Sequence, residues 1–212
     1  MRAKQRYKCK DCGLNFVDGD QRRGKNIAKQ RIAIHLYLEG MGFRAIGRVV
    51  DVSNVTVLNW IRKAGEQIKA YHDAQEAPKQ VEIIELDELW HFVGKKKRKL
   101  WIWVALDRAG GRILDFVTGS RQASTGKRLW EKIKNIACNQ YSTDHFVAYR
   151  SIISGNHVAS KKETHIIESS NANVRHYLAR FRRKTKCYSK SEELVVLSLY
   201  LLIYKQMALS IY

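Results

Sequence analysis

Val81-Glu82-Ile83-Ile84-Glu85-Leu86-Asp87-Glu88-Leu89-Trp90 sets four carboxylates into an apolar, β-prone run. A strand of this kind belongs in a core, where an ionised carboxylate is costly unless it is paired or coordinates a metal. Two readings of the stretch stay open. Either the acids lie on a half-exposed strand edge in water, or a cation sits beside them and the strand carries chemistry. Glu85 and Asp87 share one face of the strand and Glu88 the other.

Downstream, Gly94-Lys-Lys-Lys-Arg-Lys99 reads as a basic loop. Leu100 to Leu106 is apolar on both faces and is expected as a central strand. Asp107-Arg-Ala-Gly-Gly111 then turns the chain into a third strand over Arg112–Thr118, so three strands form an antiparallel meander. A helix is expected over Ser124–Ala137, a short β-prone run at Tyr141-Ser-Thr-Asp144-His145, and a short helix over Phe146–Ile153. The stretch from Ser154 to Glu163 has no clear pattern. A long helix is expected over His165–Lys186, with Ile167, Val174, Leu178 and Phe181 inward and Glu168, Asn171 and Arg175 on an adjacent face. A last helix spans Ser191–Ser210.

Upstream, Ile27, Ile34 and Leu38 mark one helix face, and Phe43, Ile46, Gly47 and Val50 a second short helix. Ser53 is placed to cap a third helix whose inward stripe is Val57, Trp60, Ile61 and Ala64. This is helix-turn-helix spacing. Ser53, Asn54, Val55, Thr56, Asn59, Arg62 and Lys63 are then the candidates for reading a DNA major groove, with Arg44 and Arg48 on backbone phosphates. A plain three-helix bundle with a solvated polar face is the alternative. Glu66 to Gln80 holds the only proline and reads as a linker. The expected division is a tail over 1–25, a helix-turn-helix domain over 26–72, a linker over 73–80 and a second domain over 81–212.

Lys and Arg number 39 against 20 acids, a formal net charge of +19 with pI near 9.9. Such a balance points to a polyanionic partner, and double-stranded DNA leads. The start of the chain lacks the pattern of a secretory signal, and the apolar segment Leu194–Tyr204 is too short to span a membrane. A cytoplasmic, nucleoid-associated protein without a membrane partner is expected. Cys9-Lys-Asp-Cys12-Gly13 has the shape of one zinc knuckle. Structural Zn²⁺ takes four ligands, so this is either half of a shortened zinc ribbon or a basic tail holding two thiols.

Strand–strand–strand–helix–strand–helix, with acids on the first strand, the fourth strand and a later helix, is the layout of a ribonuclease H-like fold. The fold class expected is therefore α/β, a ribonuclease H-like domain preceded by an all-α helix-turn-helix domain and a partial zinc-ribbon tail. Asp87, Asp144 and Glu168 converge in that layout. Three carboxylates at one point repel and call for divalent cations, with hard oxygen ligands selecting Mg²⁺ or Mn²⁺. Glu85, Glu88, Asp107 and Asp115 are the acids left outside the set, Asp107 in a turn and Asp115 on a strand surface.

Leu86-Asp87-Glu88-Leu89-Trp90, Thr143-Asp144-His145 and Ile167-Glu168, with Asn171 and the basic run from Arg175, resemble the transposases of the insertion sequence one family. Glu168 follows Asp144 by 24 positions, similar to the short spacing of that family. The resemblance covers nearly the whole chain, including the helix-turn-helix and Cys9-x-x-Cys12-Gly13. It implies a helix-turn-helix part that binds the element's terminal inverted repeats. It implies an acidic triad that cuts DNA and joins 3′-hydroxyls to a target, with a homo-oligomer assembled on DNA; Arg175, two turns beyond Glu168 on its helix face, is expected to hold a phosphate. It also implies an earlier cysteine pair; the chain begins after the place that pair would occupy, so a shortened ribbon is expected. The alternatives are a DNA-binding repressor that occupies the element ends, and a tyrosine recombinase, for which no Arg-His-Arg-Tyr framework is visible.

Overall fold

The computed structural model describes residues 5–8, 15–17 and 27–210. Cys9 and Cys12, together with most of the basic residues around them, lie outside the described residues. On either side of them, β1 (Arg6–Lys8) and β2 (Asn15–Val17) pair antiparallel.

Three helices follow: α1 (Ile27–Leu38), α2 (Phe43–Val50) and α3 (Asn54–Asp73). Ile34 and Leu38 are buried as their spacing predicts, but Ile27 is half exposed. It begins the helix, a full turn short of the core. The turn from α2 to α3 is tight, with Asp51 left-handed at φ 52° and its N–H bonded to the Gly47 carbonyl. A side chain on Gly47 would meet the Val52 carbonyl oxygen, so only glycine fits there. Ser53 then caps α3, accepting from the Thr56 amide at 3.0 Å.

The linker expected from Glu66 begins later. Helix α3 runs on to Asp73 because Gly65 lets it lie directly against Leu197 and Ile68 is fully buried. Packing of one apolar stripe holds these polar turns helical. Residues 74–79 make the connection to β3.

The sheet has five strands in the order β5-β4-β3-β6-β7. They are β3 (Gln80–Val93), β4 (Lys95–Asp107), β5 (Arg112–Gly119), β6 (Ala137–Thr143) and β7 (His157–Ala159). The first three form the expected meander, and β6 and β7 add in parallel. The basic run over Lys95–Lys99 is strand rather than loop, because Gly94 at φ +73° makes the turn tight enough to start pairing at once. Strand β7 arises from the unpatterned stretch; at three residues it is too short to show a period.

Helix α4 (Ala123–Ile133) lies on one face of the sheet, and α5 (His165–Tyr177) and α6 (Glu192–Ile203) on the other, with α7 (Lys205–Ser210) following. Alternation along β3 and β4 feeds two apolar clusters. Ile84, Leu86, Trp103 and Ala105 join Leu129, Ile133 and Tyr149 on the α4 side. Leu89, Ile102, Val104 and Leu106 join Ile167, Val174, Val195 and Leu199, and the same cluster takes in Ile34, Ile46, Val57 and Ile61 of α1–α3. A mixed sheet in this order, helices on both faces and β3 parallel to β6, is the ribonuclease H-like fold.

Helix α4 ends four residues earlier than expected, and Ala137 already pairs with Gln80. Phe146–Ile153 contains a 3-10 turn over Val147–Ser151 in place of an α-helix. Helix α5 stops at Tyr177, although Leu178 and Phe181 stay buried in the 3-10 turn that follows. Beyond Phe181 the run Arg182–Lys186 offers no apolar face and sets like charges one turn apart, which does not propagate a helix.

Candidate carboxylate site

Leu86 and Thr143 are the last paired positions of the parallel β3–β6 ladder. Asp87 and Asp144 are the next residues on each strand, and Asp144 falls just past the end of β6. Their neighbourhood follows from register alone. Glu168 stands in the first turn of α5, which packs on the same face of β3. The three predicted acids are thus brought together.

Burial, and then the charges of Asp144 and Glu168, raise the Asp87 carboxyl above the ordinary carboxylate range. The Glu88 backbone amide and Asn171 act in the opposite direction. Asn171 Nδ2 donates to Asp87 Oδ2 at 2.7 Å, while its own Oδ1 is buried without a hydrogen-bond partner. Asp144 Oδ1 accepts from the Phe146 amide at 2.8 Å, which fixes the chain as it leaves β6. Glu168 is exposed.

Among the described residues no three His, Cys, Asp or Glu side chains close tightly enough to hold an ion as they stand. The donor set nonetheless fits a hard divalent cation: a half-buried carboxylate, Asp87, facing two more, next to a buried amide oxygen with no donor. The repulsion that Asp144 and Glu168 exert on Asp87 is what a cation would cancel.

Arg175, on the same helix two turns beyond Glu168, is half-buried. Burial first, and then Arg183, lower its proton affinity, and Asp87 raises it, so it lies between the acid site and the basic chain beyond. Trp90, His91, Phe92, Arg175, Arg182 and Arg183 line a narrow cleft beside the site.

The other acids separate as expected, each for a visible reason. Glu85 is fully buried and paired with Arg108. Glu88 lies across the sheet, 3.3 Å from Arg121, with Oε1 unpartnered near the buried Tyr149 hydroxyl. Burial, partly offset by Tyr149, lifts the Glu88 carboxyl to about 7. Asp107 caps its own turn through the Ala109 amide; Asp115 pairs with Lys132 but is largely covered rather than on the strand surface, with His72 Nε2 3.7 Å away.

On α3, Ser53, Asn54, Val55, Asn59 and Lys63 are exposed, as are Arg44 and Arg48 on α2, and Thr56 is partly covered. Arg44, Arg48, Ser53 and Asn54 line one open concavity of about 630 Å³ at the helix turn. Arg62 departs from the expected outward face: its Nε lies 3.2 Å from Glu193 Oε1 on α6. Arg108 is the residue that sequence reading missed; its signal was its position directly after the strand-ending Asp107.

The model of the IS1 transposase family matches residues 81–207. The chain belongs to the IS1 transposase family. It is 39% identical over 111 residues to the insertion element IS1 protein InsB of Shigella flexneri, covering 52% of this chain and 85% of that one. Against the IS1 4 protein InsB of Escherichia coli K12 the identity is again 39%, over 52% of this chain and 66% of the relative. Among solved structures, the catalytic core domain of BIV integrase is similar at 13% identity and a TM-score of 0.39, covering 56% of this chain and 82% of that one. In this IS1-family chain, no helix of the described residues is long and apolar enough to cross a membrane.

Proposed function

We propose that this transposase binds the terminal inverted repeats of its element and cuts and joins DNA at Asp87, Asp144 and Glu168. The observation that carries the reading is the meeting of these three acids, at the end of two parallel strands and the start of α5, with Asp87 made harder to ionise by burial and then by the other two.

Asp87, central in the set, would hold the divalent cations together with Asp144 and Glu168. Bound there, Mg²⁺ or Mn²⁺ would activate an attacking oxygen and stabilise the leaving one in an in-line phosphodiester displacement. The chain itself needs no covalent nucleophile. Asn171 fixes the Asp87 carboxylate by hydrogen bond. Arg175 is placed to hold a phosphate of the strand being cut, as a charged fork. Residues 26–72 act as the DNA-binding unit, with Asn54, Val55, Asn59 and Lys63 toward base edges and Arg44 and Arg48 toward phosphates. Two element ends held at once call for a homo-oligomer on DNA. A zinc role for Cys9 and Cys12 is left to the tail outside the described residues.

The test is cleavage and strand joining on labelled element-end DNA with Mg²⁺ or Mn²⁺. The native chain is compared with Asp87→Asn, Asp144→Asn and Glu168→Gln. Each change is expected to lower the rate by about a thousandfold or more, several kcal/mol of barrier, while end binding persists. A native chain that binds the ends and never cuts with either metal would instead be a repressor.

A further inference from the structure

We propose that Arg108 is the positioning residue of the carboxylate site, a single guanidinium that holds the three acid-bearing elements in register. The inference rests on the reading of Asp87, Asp144 and Glu168 as a cation site. Among the described residues no other side chain hydrogen-bonds to all three of those elements or their lead-in segments.

Arg108 follows the last residue of β4, and its own amide donates to the Ile83 carbonyl of β3. Its Nε donates to Glu85 Oε1 at 2.7 Å. Nη2 donates to Ser142 Oγ on β6 at 3.2 Å and to the Glu163 carbonyl oxygen. Nη1 donates to Glu163 Oε2 at 2.7 Å, in the 3-10 turn that leads into α5. The second oxygen of Glu85 accepts from the Ile167 amide at 2.8 Å. That amide belongs to the first turn of α5, whose N–H groups have no partner within the helix, and a carboxylate there also meets the positive end of the helix dipole.

The offsets give the network its meaning. Glu85 is two residues before Asp87 on one strand face, Ser142 two before Asp144 on the neighbouring strand, and Ile167 one before Glu168. The planar fork therefore reaches Asp87 and Asp144 through Glu85 and Ser142 directly, and Glu168 through Glu163 and, by way of Glu85, the Ile167 amide. A buried ion pair is a poor way to gain stability alone, since an apolar cluster of the same volume does as well. What a guanidinium adds is direction, several hydrogen bonds in a fixed plane. Residues that orient ligands without touching the metal typically change metal affinity by about ten- to a hundredfold.

The experiment measures Mn²⁺ binding to the full chain, following free Mn²⁺ by electron paramagnetic resonance, alongside the Mn²⁺ concentration that half-saturates cleavage. In Arg108→Lys a point charge still neutralises Glu85 but cannot span the three elements. Mn²⁺ binding is expected to weaken by about tenfold or more, the half-saturating concentration to rise in step, and high Mn²⁺ to restore most of the rate. Unchanged Mn²⁺ binding with only a lower melting temperature would make Arg108 purely structural and overturn the proposal. Should Arg108→Lys fail to fold by circular dichroism, Glu163→Gln decides. It keeps the Arg108–Glu85 pair, loosens only the tie to α5, and must weaken Mn²⁺ binding at least about threefold; no change there overturns the proposal. Asp87→Asn separates the two levels. If it binds Mn²⁺ as the native chain does, the carboxylate reading itself falls and takes this inference with it.

Discussion

Glu85 and Asp87 sit two residues apart on the same face of the same strand, and they meet opposite fates. Around Glu85 every partner is complementary: the Arg108 guanidinium on one oxygen and the Ile167 amide on the other, with the carboxylate wholly shielded from water. Around Asp87 the charged neighbours are mostly of its own sign, and one amide is its side-chain donor. The first region is closed and electrically complete; the second holds a half-buried carboxylate facing two others. In a run of acids, spacing alone does not mark the functional one. The satisfied carboxylate builds the frame, and the frustrated one is the one proposed for chemistry.

The strongest way to break this contrast is to remove each acid in turn. Glu85→Ala strands a largely buried guanidinium and an unpaired helix amide, and is expected to cost about 3–5 kcal/mol in urea denaturation. A smaller loss than that of Asp87→Ala would reverse the assignment of frame and site. Further along the same face, His91 shows the third case, a buried group pressed by burial and by Arg180 to about 4. Its ring accepts from the Ser189 amide at 3.3 Å, so it is held neutral. The unfolded chain takes up this proton near 6.5 and the native chain does not. Stability is therefore complete above pH 6.5 and falls by up to about 3 kcal/mol as the pH drops toward 4. Melting curves across that window should lose this part of their slope in His91→Gln.

Much of this was legible in the sequence because it rests on period and order. The helix-turn-helix stripe and the meander follow from apolar spacing, and the neighbouring placement of Asp87 and Asp144 from the element order of a ribonuclease H-like layout. What was not legible depends on side chains meeting across long separations. Nothing near Glu85 announces that its partner is Arg108, and nothing in α3 shows that Arg62 turns to Glu193, more than a hundred residues later. The early end of α5 belongs to the same class. Its apolar stripe continues to Phe181, yet the chain leaves the helix and buries Arg180 over the rings of Tyr37 and Phe43.

The Arg62 case carries the contrast between occupied and available groups onto α3, the helix proposed to read DNA. Asn59→Ala is expected to weaken binding to element-end duplex by about 1–3 kcal/mol at fixed salt, the range for one bidentate base contact. Arg62→Ala should cost less, under about 1 kcal/mol, because its guanidinium already faces an exposed carboxylate. Equal losses in a fluorescence-anisotropy titration would mean that Glu193 releases Arg62 to the DNA.

The smallest effect is the most discriminating. If Asp87 is held against like charges, then neutralising it without changing its shape should help the metal-free protein while ruining the site. In EDTA at neutral pH, Asp87→Asn is expected to melt higher, by about 0.5–1 kcal/mol, the scale of one relieved pair of partly solvated charges. With saturating Mn²⁺ the order inverts, because a ligand that binds only the native state raises its stability by mass action, and the variant forfeits that gain. A crossing of the two melting temperatures on adding metal is the signature of a carboxylate whose charge is unfavourable until a cation arrives. If Asp87→Asn melted lower in EDTA, the hydrogen bonds from Asn171 and the Glu88 amide would outweigh the repulsion, and Asp87 would resemble Glu85 rather than oppose it.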